Sequence, residues 1–414
     1  MTITASIPQI MSAPARAFWV VAFAYLVLVA QAGAPSPLYP VYAMEFSLSS
    51  VQLTSVFAIY VVGLVLTLVT FGSLSDHVGR RPVILAGSVV AIAALTVFAT
   101  ASDFALLLVA RALQGASIGI VTGALGAALI DLKPAAHPRL ASVLNGALPP
   151  IALTVGSLSS GLLVQFAPDP TGFVFFVYIG LIALSAILIA FLPERRPGST
   201  RRQLIRSLRP AISVPPPTRR ILAAVVGCMI SSWALGGLYL ALGPTIVTTI
   251  LHLDSHLLGA VAVAVLTGVG AITGLVVQRL DARKSMMVGA AALVVGPALT
   301  VLALRMESVP GFYLSTIVAG IGFGAGFQCA LRLVLGVAPS TGRAGLLSTV
   351  YVISYLSLGL PSVAAGLLVP VIGLQQVIAL YAGFVALLAL VALVLQFVLR
   401  ANKAREIVAE RLAE

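Results

Sequence analysis

Gly72 to Pro82 reads GSLSDHVGRRP and separates two long apolar runs, residues 49–71 and 83–101. Between Ala17 and Asp103 the only charged side chain outside this stretch is Glu45. A short loop carrying Asp76, His77, Arg80 and Arg81 between two membrane-length runs predicts a helical hairpin turning at a membrane surface. Gly72 and Gly79 let the backbone turn tightly and let one helix approach another. Asp76 and Arg80 lie one helical turn apart, close enough to pair or to reach a neighbouring helix.

The whole chain fits that setting. Its 414 residues are 60% hydrophobic and 9% charged, with a mean hydropathy of +1.11, more apolar surface than a soluble fold of this size can bury. The net charge of +12 raises nucleic acid as a partner, but the placement of the basic residues makes that unnecessary. The first apolar segment runs to about Tyr42, too far for a short signal-peptide core, so no cleavable signal is expected. Cys228 and Cys329 fall inside apolar runs without CxxC spacing and are expected to be packing thiols. No metal site is expected, and no GxxxxGK[ST] stretch occurs to cradle nucleotide phosphates. The chain is not expected to be an enzyme or to need a cofactor.

A spanning helix takes about twenty apolar residues, and charges, prolines and glycines cut the chain into twelve such segments. They lie near 17–43, 49–71, 83–101, 104–130, 140–166, 171–192, 221–250, 256–279, 286–304, 309–336, 344–369 and 373–399. This predicts an all-α membrane protein with a six-helix bundle over 1–192, a basic linker over 193–220, a second bundle over 221–400 and a tail over 401–414. The linker holds eight arginines and Pro215-Pro216-Pro217, with a short amphipathic surface helix expected at Arg201–Leu208. With the N-terminus inside, nearly every Lys and Arg outside the spans falls on inner loops and tails, and only Arg305 falls outside. Both termini are therefore expected in the cytoplasm, with anionic inner-leaflet lipids as contacts.

The halves repeat. Asp76 recurs 205 residues on as Asp281, Gly115 as Gly320, Gly119 as Gly324 and Gly161 as Gly366. Around the last pair GSLSSGLLV (156–164) lines up with PSVAAGLLV (361–369). Two parallel six-helix repeats are a transporter layout, with the binding site near the midplane between them.

The 72–82 stretch resembles the G-x-L-x-D-x-x-G-R-R/K signature of the major facilitator superfamily. Gly72, Leu74, Asp76, Gly79, Arg80 and Arg81 match, and His77 stands where the family usually has Arg. RALQGASIG, opening at Arg111, resembles the family's fourth-helix signature. The resemblance covers the whole chain and implies alternating access in a bacterial cytoplasmic membrane. By that resemblance Asp76, Arg80 and a carboxylate at the foot of the fourth helix, here Asp131, form a charge relay. The relay is expected to latch the outward-facing state by docking on the eleventh helix, where Arg343 could add an ion pair. In the fifth helix, Gly156 and Gly161 keep the end glycines of the G-P-x-x-G-G pattern of exporters, while Ser157 and Ser160 replace its proline and a glycine. That departure weakens the antiport assignment.

Arg111 lies roughly 12 Å inside Asp103 along its helix, and a charge in hydrocarbon asks for a reason. It either faces the cavity, holding an anionic or polar group, or bonds carbonyls of the first helix, which Pro35, Pro37 and Pro40 break. Gln31 is expected opposite it. Gly243-Pro244 suggests a similarly broken seventh helix. Expected lining residues are Gln31 and Tyr39 on the first helix, Arg111, Asn145, Trp233 and Tyr239 on the seventh, Gln328, and Tyr351 and Tyr355 on the eleventh. Arg332 is expected to snorkel to headgroups. No Asp, Glu or His falls in mid-span, so Glu45 and Asp131 are the candidate proton sites. The function expected is efflux of a small amphipathic compound, such as a drug, sugar or metabolite, by a monomer using proton antiport. Organic-anion uptake or exchange through Arg111, an uncoupled facilitator, and a non-transporting receptor or scaffold are the alternatives.

Overall fold

The computed structural model describes residues 13–194, 212–339 and 343–413. The expected surface helix at Arg201–Leu208 and most of the linker lie outside the described residues. Among the described residues, twelve helices are long and apolar enough to cross a membrane. In chain order they are α1 (Ala13–Gly33), α2 (Ser50–Phe71), α3 (Arg80–Ala99), α4 (Phe104–Asp131), α5 (Leu140–Phe166) and α6 (Phe173–Ala190). The second six are α7 (Pro216–Thr249), α8 (His256–Val277), α9 (Ala282–Arg305), α10 (Val309–Gly336), α11 (Arg343–Ile372) and α12 (Leu374–Ala413). No strand occurs among the described residues. Large apolar side chains such as Leu66, Val89, Phe176, Ile272, Leu314 and Leu387 face outward, as a hydrocarbon surround requires.

Each half is built the same way. In the first, α4 packs on α2 and α3, α1 on α4, α5 and α6, and α3 on α6. In the second, α10 packs on α8 and α9, α7 on α10, α11 and α12, and α9 on α12. The contacts between halves also pair off, α5 with α8 and α2 with α11.

The repeated glycines mark these crossings. A Cβ at Gly115 or Gly119 would run into α2 backbone at Tyr60 and Leu64, and one at Gly320 or Gly324 into α8 backbone at Leu266 and Gly270. Gly161 is seated against Ala260 of α8 and Gly366 against Thr54 of α2, so that repeated pair forms the two crossings between halves. Close backbone approach substitutes for the hydrophobic driving force that lipid does not supply.

The first helix breaks as expected: α1 ends at Gly33, a short 3-10 turn follows at Ser36–Leu38, and a separate helix runs over Tyr39–Glu45. The seventh does not break. Pro244 sits inside a continuous α7, and the carbonyl its missing N–H leaves free, that of Leu240, accepts from Ser36 Oγ at 2.6 Å. That outside donor removes the need for a kink. The same device recurs where Pro150 interrupts α5: Gln328 Nε2 donates to the Gly146 carbonyl at 3.0 Å. α12 continues as helix through Ala413, across the stretch expected to be a tail.

Candidate functional site

At the end of the bundle that carries Arg80, Ser75–Val78 forms one helical turn and Gly79, at φ +107°, starts α3. That φ favours glycine, and a side chain there would also strike the Glu194 carboxylate. Glu194 accepts from the backbone N–H of Arg80 at 3.1 Å and of Arg81 at 2.8 Å. It thereby caps the free donors at the start of α3, where a negative charge is favoured. Sequence reasoning placed Glu194 only in the linker, because a cap supplied 114 residues away leaves no local signature.

Arg80 pairs with Asp76, donates from Nε to Asp131 Oδ2 at 3.2 Å and reaches Ser75 Oγ at 2.8 Å. Arg81 donates to the Leu192 carbonyl at 3.2 Å, and Gly72 is packed under Gly123 of α4. The three expected relay residues thus meet. Arg343 does not join them; its Nε donates to the Ala338 carbonyl at 3.4 Å, within its own half. Arg332 does not snorkel: it bonds the Val277 carbonyl at 2.6 Å and that of Leu280 at 3.3 Å. Those carbonyls lie at and just past the C-terminal end of α8, where helix carbonyls run short of i+4 donors, a nearer partner than headgroups.

The opposite end, beside Glu45, is closed between halves. Ser157 Oγ donates to the Ala260 carbonyl at 3.1 Å, and Ser160 Oγ to the Ala34 carbonyl in the break of α1. Deeper in, the Thr154 and Thr267 hydroxyls meet at 2.8 Å. Of the two serines that stand for the exporter pattern's proline and glycine, Ser157 bonds across the crossing and Ser160 ties α5 to the broken first helix of its own half.

Arg111 is 1% exposed. It donates to Gln114 Oε1, to Tyr39 Oη and, at 3.4 Å, to the Ala32 carbonyl. Gln114 Nε2 in turn bonds Gln31 Oε1 at 2.7 Å, so Gln31 meets Arg111 through Gln114, which the sequence reading missed. The Arg111 Cζ lies 5.3 Å from the ring centres of Tyr39 and Tyr60 and 5.8 Å from that of Phe98. Ring faces and carbonyls, rather than a carboxylate, hold the charge. In this conformation Arg111 bonds a carbonyl of the first helix, the contact its structural alternative calls for.

Among the other expected lining residues, Trp233, Tyr351 and Tyr355 form one aromatic group at the middle of the interface. Asn145 packs against Gly126 of α4, next to the residue whose carbonyl Gln328 bonds. Tyr239 is a correction: it is 1% exposed, bonded to Thr316 Oγ1 at 2.8 Å and stacked on Phe312. It packs α7 on α10, because the unbroken α7 turns that face toward its own half. Glu45 is exposed at the end of its short helix, and Asp131 is exposed and held by Arg80.

The family model described as Major Facilitator Superfamily matches residues 21–298. A relative named multidrug resistance protein MdtL, from Citrobacter koseri, is 30% identical over 165 residues, 39% of this chain and 41% of that one. That match thus spans under half of the relative's length. MdtL of Salmonella heidelberg is 27% identical over 325 residues, 75% of this chain and 77% of that one. The crystal structure of a nucleoside transporter, NupG, superposes with a TM-score of 0.71 at 13% identity, covering 91% of this chain and 99% of that one. At that identity the likeness shows the fold.

Proposed function

The chain belongs to the major facilitator superfamily, a multi-pass transporter of small molecules in the cytoplasmic membrane, and from that premise we propose that it exports a small amphipathic compound by alternating access. The Arg80 end faces the cytoplasm and both termini lie there, as the concentration of Lys and Arg on that side supports. The observation that carries the proposal is the unequal state of the two ends. At the Glu45 end the halves meet through two glycine crossings and a serine bond. At the Arg80 end the relay is assembled on the first half alone, with Arg343 bonded elsewhere.

This is the expected asymmetry of a conformation closed outward. In the other state the relay docks on α11 and the crossings part. A few kcal/mol of contacts present in one state only suffices to shift such an equilibrium. Export is supported by the multidrug-resistance names of the relatives. Asp76, Arg80, Arg81, Asp131, Arg343 and the glycines Gly72 and Gly79 form the latch, and the site is the aromatic interface around Trp233, Tyr351 and Tyr355. A receptor or scaffold has no use for two alternative sets of contacts.

Proton antiport, the drive the resemblance implies, would have to run through Asp131 or Glu45. A second reading, exchange or facilitated passage of the cargo alone, is favoured by one observation: none of the twelve acidic residues lies in mid-span. Liposomes holding the purified protein and a pH-sensitive dye separate the two. Compound-triggered proton movement that Asp131→Asn or Glu45→Gln abolishes supports antiport. Equilibration of labelled compound without proton movement supports exchange or facilitation. Absence of any flux across a panel of cationic, neutral and anionic compounds would contradict export.

A further inference from the structure

The middle of the interface is lined by rings, and the charge behind them has one sign. Trp233 of α7 meets Tyr355 of α11 edge-on at 4.8 Å and Phe327 of α10 at 5.3 Å. Tyr351 stacks beside Tyr355, ring centres 6.4 Å apart. All four keep partial exposure, so they are not consumed in sealing the core. From the other half, Val61 of α2, the neighbour of Tyr60, packs against Gly359 of α11, one helical turn from Tyr355.

Arg111 lies over that Tyr60 ring. It forms no ion pair among the described residues, and its buried Nε has no acceptor. An aromatic wall by itself welcomes a cation. Here one cation already occupies the Tyr60 face, and no acidic residue lies in mid-span to offset it. A fixed charge about 10 Å away at an effective dielectric near 20 shifts the affinity of a univalent ligand about tenfold, against a cation and for an anion.

We propose that the cargo is a planar aromatic anion, preferred over its neutral analogue and more strongly over the matching cation. This rests on the export reading above and names its substrate class. The rings supply flat apolar contact, and Arg111 supplies a long-range field without touching the cargo in this conformation.

Trp233 is one of only two tryptophans; the other, Trp19, lies on the outer surface at 47% exposure. In a Trp19→Phe variant, tryptophan emission therefore reports on Trp233 alone. The probes are 4-nitrobenzoate, 4-nitrobenzyl alcohol and 4-nitrobenzylammonium, three quenchers of one shape and three charges. Quenching of Trp19 in a Trp233→Phe variant subtracts membrane partitioning. The expected result is saturable quenching, with the anion bound about tenfold tighter than the alcohol and the alcohol about tenfold tighter than the cation. Equal affinities, a reversed order, or no saturable quenching by any of the three would overturn the proposal. Counterflow of the same compounds in liposomes judges export separately: cation binding with counterflow intact removes the anion assignment alone, and anion binding without counterflow removes export alone.

Discussion

Gly366 of α11 rests directly on Thr54 of α2, so closely that a Cβ on the glycine would overlap the threonine side chain. Its repeat partner Gly161 rests in the same way on Ala260 of α8. The closed end of the bundle therefore depends on two positions that tolerate no side chain. Gly366→Leu is expected to leave insertion and folding intact, since the bulk falls between halves, and to lower flux at least tenfold. Maleimide labelling of Ala260→Cys, shielded in the parent at 0% exposure, is expected to rise with it. Unchanged flux and labelling would remove this crossing as a gate.

Asp76 and Asp131 hold Arg80 from two sides while exposing 57% and 56% of their own side chains. Exposed pairs of this kind add little stability, up to about 1 kcal/mol each. Asp76→Asn is accordingly expected to change the thermal midpoint little yet to cripple transport. A thermal-shift measurement beside a flux assay separates the effects; a large loss of stability with proportionate loss of flux would make the relay merely structural.

Glu194 acts on the same loop by another route. Glu194→Gln removes the charge at the start of α3 and is expected to cost about 1 kcal/mol, with Glu194→Ala costing more as both N–H groups lose their acceptor. Denaturation of the purified variants checks the order.

Ser157 spans the closed end with its bond to the Ala260 carbonyl. Ser157→Ala removes a bond worth on the order of 1 kcal/mol from the closed state only. It is expected to shift the resting population toward the open state about fivefold, visible as faster labelling of Ala260→Cys. Identical labelling would show that the bond persists in both states.

Arg111 should behave as a buried keystone. Arg111→Ala strips a donor from Gln114, Tyr39 and the Ala32 carbonyl, a cost of about 3 kcal/mol or more, and is expected to lower the melting midpoint clearly. Arg111→Lys keeps charge without the planar fork and is expected to recover only part of it. Full stability in the alanine variant would contradict this role.

Much of this was legible in the sequence because its signals are local or periodic. Apolar runs gave twelve spans, and the 205-residue shift picked out glycines that prove to seat equivalent crossings. The Asp76–Arg80 pair followed from helical spacing. What escaped depends on partners far along the chain. Gln114 and Glu194 act through neighbours that no periodicity reveals. Pro244 signalled a break that a serine from another half made unnecessary. Tyr239 and Arg332 face their own half because helix rotation, unlike helix length, is set by tertiary contacts.

Alternating access is the central claim, and paired distances test it most directly. Spin labels at Asp169 and Asp254 report the separation of the halves at the Glu45 end, and labels at Lys133 and Lys284 at the Arg80 end. Pulsed dipolar spectroscopy with and without a transported compound is expected to show opposite changes, the first pair moving apart as the second closes. Distances that stay fixed, or that change in the same direction at both ends, would contradict the account.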